Sequence, residues 1–240
     1  MGAATGSSRV RRALARVSWL REARRRALAM VRPANAMRHP TFADRHHRAA
    51  IAEVDYFRYS TMGLAVQRVI DDDIGGALAE VGVWRGEVSR YLHALAPDRP
   101  IYLFDTFEGF PSRDLDPDSP VDMRFRDTSA AAVARHVGAD PNVRIRPGRV
   151  PETFVGLEDE RFAFVLIDLD LYGPTLASLR FFYPRLSPAG YLIVHDYNNP
   201  ESDWGCKRAL DEFTSEIPER PVELADIWGS VVLRRTASRG

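Results

Sequence analysis

From about Gly75 onward the chain alternates short runs rich in Val, Ile, Leu and Phe with stretches that repeat their apolar residues at a helical period. Strands are expected at Ala77 to Val83, Ile101 to Asp105, Val143 to Arg146, Phe162 to Asp168, Gly190 to His195 and Ile227 to Arg234. Helices are expected around Val88 to Leu95, Ser129 to Val137, Thr175 to Tyr183 and Lys207 to Ile217. Apolar strands joined by helical crossovers imply a parallel sheet covered on both faces, an α/β doubly wound fold. Ligands of such sheets sit at the strand carboxyl ends, near the point where strand order reverses. With 240 residues, 45% of them hydrophobic, the chain can bury one substantial core.

The region before this alternation is different. Between Met1 and Pro40 there are ten arginines against one acid, Glu22, a net +9 that the zero total charge balances with −9 elsewhere. Apolar residues Val10, Ala13, Leu14, Val17, Leu20, Ala23, Ala27, Leu28 and Val31 recur at helical spacing, which reads as a basic amphipathic leader over residues 1–40. The globular domain is expected over 41–235, with a flexible tail over 236–240. A leader helix exposing Val17, Leu20 and Leu28 suits packing on a second copy, giving a homodimer, or peripheral contact with an anionic membrane. No apolar run is long enough to cross a bilayer, and the single Cys206 fits a reducing compartment, so a cytoplasmic protein is expected. Asp114, Asp116, Asp118 and Asp122 suggest a calcium loop. Ser119 stands where that loop needs its glycine and Phe125 where it needs its bidentate acid, so a surface loop is the better reading.

At the end of the first strand the chain reads Glu80-Val81-Gly82-Val83-Trp84-Arg85-Gly86, and Asp105 closes the next strand 19 residues after Gly86. Glycines allow a tight turn and close approach to a ligand, and a carboxylate at the second strand end can accept ribose hydroxyls. Trp84 stands where a dinucleotide pyrophosphate needs bare backbone, which disfavours NAD. Glu80, Asp105 and Asp168 would repel a pyrophosphate and suit a cationic cofactor, S-adenosylmethionine (SAM). Farther on, Ile167-Asp168-Leu169-Asp170 and Val194-His195-Asp196-Tyr197 each end an apolar run with polar groups. On neighbouring strands Asp168, His195 and Asp196 could ligate one divalent ion.

Four ordered runs, Glu80 to Gly86, Phe104 to Gly109, Ile167 to Tyr172, and His195-Asp196-Tyr197 followed by Gly205-Cys206-Lys207, resemble the macrocin O-methyltransferase family over roughly Tyr56 to Arg234. The resemblance implies a class I methyltransferase, Rossmann-like sheet of seven strands with the last antiparallel. It also implies a SAM- and magnesium-dependent enzyme that methylates a sugar hydroxyl of a glycoside, saccharide or glycosylated natural product. Glu80, Gly82, Trp84, Gly86, Asp105, Thr106 and Asp168 would then contact the cofactor, with Ser89 and Met62 candidates for its methionine end. Asp168 would be a metal ligand with His195 and Asp196, and Asp170 the general base, with His195 a second proton acceptor. The family usually shows Asp-Asp-Tyr where this chain has His195-Asp196-Tyr197, which opens the metal to Mn2+ or another divalent ion besides Mg2+. Two alternatives are methylation of another vicinal diol or catechol, and a SAM-fold protein that only binds a partner. Nucleic acid is not expected as a partner, because the Asn/Asp-Pro-Pro-aromatic motif of amino-group methylation is missing.

Overall fold

The computed structural model describes residues 44–115 and 124–236, together with the helical positions Ala23 and Ala27. The expected leader over 1–40 lies outside the described residues apart from those two positions, as does the tail beyond Thr236. The chain divides into two compact units, residues 1–60 and 61–240. Within the first lies helix α1, Asp44–Ala52; helix α2, Tyr56–Asp71, begins in the first unit and ends in the second.

The second unit carries strands β1 (Ala77–Val81), β2 (Ile101–Asp105), β3 (Val143–Pro147), β4 (Phe162–Ile167), β5 (Leu186–Val194), β6 (Val222–Glu223) and β7 (Val231–Arg234). Helices α3 (Glu87–Leu95), α4 (Ala130–Val137), α5 (Tyr172–Phe182) and α6 (Gly205–Thr214) connect them. The seven strands form one sheet in the order β3-β2-β1-β4-β5-β7-β6. The first five are parallel; β7 runs antiparallel to both β5 and β6. This is the class I methyltransferase topology that the resemblance implied.

Burial explains the order. All residues of β1 and β4 are buried, as two-sided coverage requires of central strands, while the short edge strand β6 is exposed at both positions. Phe104, Phe162 and Phe182 are fully buried and meet edge to face, with ring centroids 5.8 Å apart for Phe104–Phe182 and 4.9 Å for Phe162–Phe182. Each such aromatic pair adds about 1 kcal/mol beyond its area burial. Ser129 caps α4, its hydroxyl accepting from the Ala132 N–H at 3.2 Å.

Three expected strand boundaries shift by more than one residue. The first strand ends at Val81, not Val83, because Gly82 turns the chain at φ 93 and the next two N–H groups leave the ladder for the Asp105 carboxylate. β5 begins at Leu186, four residues before Gly190. The last expected strand, Ile227 to Arg234, contains only β7; residues 226–229 form a turn closed by Gly229 N–H to Asp226 O, with Gly229 at φ 71. β6 carries no sequence signal, being two residues long.

The register aligns the strand ends. Val81 pairs with Phe104 on one side and Ile167 on the other, and Ile167 pairs with Val194. One residue beyond that row, across four adjacent strands, stand Asp105, Gly82, Asp168 and His195. Chain order reverses between β1 and β4, so this row is the switch point where ligands of doubly wound sheets bind. An open cleft of about 620 Å³ between residues 72–76, Arg161 and residues 187–189 lies at the amino ends of the strands, away from this row.

Candidate active site

The row is built by four chain reversals, each using a non-glycine residue in the left-handed region: Trp84 after β1, Phe107 after β2, Asp170 after β4 and Asp196 after β5, with φ between 50 and 61. Such residues cost of order 1–3 kcal/mol each and persist where their surroundings hold them. Asp170 is the centre of a one-residue turn, with Leu171 N–H donating to Leu169 O at 2.6 Å. Gly82 is required on steric grounds, since a Cβ there would lie 1.8 Å from the Asp168 carbonyl oxygen.

On the β1–β2 side, Glu80 is buried within the sheet and accepts a hydrogen bond from the Ser89 hydroxyl of α3. The Asp105 carboxylate accepts three backbone N–H groups: Val83 at 2.7 Å and Trp84 at 2.8 Å on Oδ2, and Phe107 at 2.7 Å on Oδ1. It ties the glycine turn to the turn after β2, and this leaves one of its four acceptor positions for a ligand hydroxyl. The Thr106 hydroxyl caps the same turn, donating to Gly109 O at 2.7 Å and accepting from Glu108 N–H. Gly86 precedes α3 in the left-handed region at φ 78. The Trp84 indole N–H donates to Asp127 at 2.8 Å, and its ring meets Phe125 edge to face with Arg85 stacked on it. Met62 is fully buried within α2.

On the β4–β5 side the acids converge. Ligand atoms of Asp168, His195 and Asp196 all lie within 4.8 Å of one another. His195 Nδ1 is 3.2 Å from Asp168 Oδ1 and 3.1 Å from Asp196 Oδ2, and its Nε2 is 3.0 Å from the carbonyl oxygen of Ile227. Asp170, His195 and Asp196 are buried, while Asp168 is the most open of the set, its side chain 22% exposed. Asn199, itself buried, donates to Asp196 Oδ1 at 3.1 Å and to Asp170 Oδ1 at 3.3 Å, bridging the two acids. Burial first, then the charges of Asp196 and Asp168, push the Asp170 carboxyl up to about 8; Arg124 acts in the opposite direction. The donor set of two carboxylates and one imidazole fits a divalent cation, and the raised Asp170 fits a proton acceptor working near neutral pH.

All predicted residues of the β1 to β5 strand ends fall along one edge, and two contributors went unread. Asn199 belongs to none of the motifs read from the sequence, and the Ile227 carbonyl has no side-chain signal at all. Polar side chains of the neighbouring segments are otherwise occupied. Tyr172 donates its hydroxyl to Glu212; Tyr197 donates to Asp211 and accepts from Lys207 Nζ, at 2.7 and 2.8 Å. Cys206 is fully buried beside Thr175, and burial pushes its thiol up, which removes it as a nucleophile. Asp114 is ion-paired with Arg149, its Oδ2 accepting from Nε at 2.7 Å, and the other acids of the suggested calcium loop lie outside the described residues.

A family model described as macrocin-O-methyltransferase (TylF) matches residues 5–235. Mycinamicin III 3''-O-methyltransferase of Micromonospora griseorubida is 31% identical over 175 residues, 65% of this chain and 67% of that protein. The 8-demethyl-8-(2,3-dimethoxy-alpha-L-rhamnosyl)-tetracenomycin-C 4'-O-methyltransferase of Streptomyces olivaceus is 31% identical over 169 residues, 63% of this chain and 62% of that one. The chain thus matches about two thirds of the length of these relatives. Among solved structures, the O-methyltransferase NovP superposes with a TM-score of 0.64 at 24% identity, covering 91% of this chain and 99% of that one. The calicheamicin methyltransferase CalS11 gives 0.60 at 21% identity, covering 85% and 96%. With the sheet order and the strand-end motifs, these matches place the chain: it belongs to the macrocin O-methyltransferase family and has the class I O-methyltransferase fold.

Proposed function

We propose that the protein transfers the methyl group of SAM to a hydroxyl of a sugar carried by a glycosylated small molecule, with a divalent cation held by Asp168, His195 and Asp196. The observation that carries this reading is the single edge on which a glycine turn, three clustered ligand groups and the raised carboxyl of Asp170 meet. The acceptor class follows the relatives, one of whose names specifies a rhamnosyl substituent.

SAM supplies the electrophilic methyl carbon, and a divalent ion bound at the acids would lower the pKa of an alcohol brought to it. The chain's own residues do the rest. Gly82 and Gly86 shape the turn that admits the cofactor, and Asp105 braces that turn through its three backbone N–H bonds. Asp170 would accept the hydroxyl proton, a role supported by the Asn199 amide that bridges it to Asp196. The burial of Asp170 and Asp196 limits the water that reaches the proton-transfer step.

Calorimetric titration with S-adenosylhomocysteine, with NAD in parallel, tests the cofactor assignment. One equivalent of saturable binding, absent for NAD, is expected. Absence of binding with magnesium, with manganese and with neither would overturn it. Retention of full metal-dependent turnover by Asp168→Ala would remove that residue from the ion site.

A further inference from the structure

We infer that the ion site is built for a first-row transition dication, with Mn2+ as reference probe, in preference to Mg2+, and that His195 Nδ1 is one of its ligands. The inference rests on the reading above that Asp168, His195 and Asp196 hold a divalent ion. Its basis is the far side of the ring. His195 Nε2 lies 3.0 Å from the carbonyl oxygen of Ile227, a group that can only accept, so Nε2 carries the hydrogen. Nδ1 faces Asp168 Oδ1 and Asp196 Oδ2 at 3.2 and 3.1 Å, so without an ion it donates to them; an ion bound between the carboxylates would displace that hydrogen and take the Nδ1 lone pair, while the Nε2 bond holds the ring in place.

A histidine that donates one ring N–H to a backbone carbonyl and presents the other nitrogen to a pair of carboxylates has the outer support found around metal-binding imidazoles, where that bond fixes tautomer and ring orientation. The ring is 5% exposed, so bulk water does not compete for either nitrogen. Two carboxylates balance the charge of a dication, and the imidazole adds a softer donor without adding charge. Mg2+ favours oxygen ligands and keeps its waters, whereas affinity for mixed nitrogen and oxygen sites rises from Mn2+ through Fe2+ and Co2+. An aspartate at position 195 would present oxygen alone. The competing account keeps a hydrogen on Nδ1 bonded to the two carboxylates, which would make the ring a bystander to any ion.

Full-length protein stripped with a chelator is titrated with Mn2+ and with Mg2+ by calorimetry, for the native chain and for His195→Asp. The native chain is expected to bind Mn2+ at least tenfold more tightly than Mg2+, and the variant to lower that ratio at least tenfold. Pulsed electron paramagnetic resonance of Mn2+ on the native chain is expected to show nitrogen-14 modulation that the variant lacks. This spectrum decides the matter even if the variant fails to fold, because it needs no substitution. Bound Mn2+ without nitrogen modulation, or a ratio equal in both proteins, would overturn the inference while leaving the ion site standing. A native chain that binds neither ion would overturn both the inference and the ion part of the proposed function, and homocysteine-analogue binding would still report separately on the cofactor cleft.

Discussion

Replacing Asp170 by Asn should change how the stability of the metal-free protein depends on pH. The Asp170 carboxyl titrates near 3.8 in an unfolded chain and is pushed up to about 8 in the fold. A raised folded value means that the native state holds a proton the unfolded state has released. Relative stability from this group is fully present below pH 3.8 and is lost as pH rises through about 8. Within that window each pH unit costs about 1.4 kcal/mol of unfolding free energy. Between pH 5 and pH 7.5 the loss from this one group is therefore about 3 kcal/mol. Asn keeps the Oδ1 that accepts from Asn199, tolerates the left-handed backbone at φ 61, and does not ionise. Urea denaturation in the presence of a chelator, run on both proteins at several pH values, should show the stability of Asp170→Asn minus that of the native chain growing by about 3 kcal/mol over this range. A difference that stays flat with pH would refute the reasoning, because Asp170 would then ionise as freely in the fold as in water.

Gly82→Ala should cost about 3 kcal/mol or more and abolish S-adenosylhomocysteine binding, since its Cβ would meet the Asp168 carbonyl at 1.8 Å; thermal melts and calorimetry check both. Asp105→Asn should lower stability by about 2 kcal/mol, because either amide orientation turns an NH2 toward a backbone N–H that now has a carboxylate oxygen. The urea midpoint reads this loss, and weakened cofactor binding should accompany it. Lys207→Met should cost about 1 kcal/mol, the scale of a part-exposed ion pair, and lower the melting temperature by about 2–4 °C as Tyr197 loses one of its two hydroxyl partners.

The sheet was legible because its strands are apolar enough to announce themselves. Phe162 to Ile167 has no polar residue, and such a run flanked by helical periods has few other fates. The polar residues at the end of each run can then be aligned from topology alone, which makes Asp105, Asp168 and His195 legible. Less visible were contacts made by backbone. That Asp105 serves three peptide N–H groups, more than any ribose it was expected to hold, depends on the turns after β1 and β2 meeting in space. Asn199 has no pattern of its own; its role comes from a turn that brings its amide between two acids. β6 was missed because two residues cannot show a period, and the Ile227 to Arg234 run was overread because Gly229 ends the extended segment early.

The carbonyl beneath His195 belongs to the peptide of Ile227, in the turn that leads into β7. A main-chain acceptor survives any replacement of the side chain that bears it, so this support is immune to drift at position 227. An imidazole at position 195 uses that footing, whereas an ionised carboxylate there has no N–H to give the carbonyl. Histidine and aspartate codons differ by a single base, yet that exchange would set two acceptors face to face, so the turn before β7 holds position 195 to a residue that can donate.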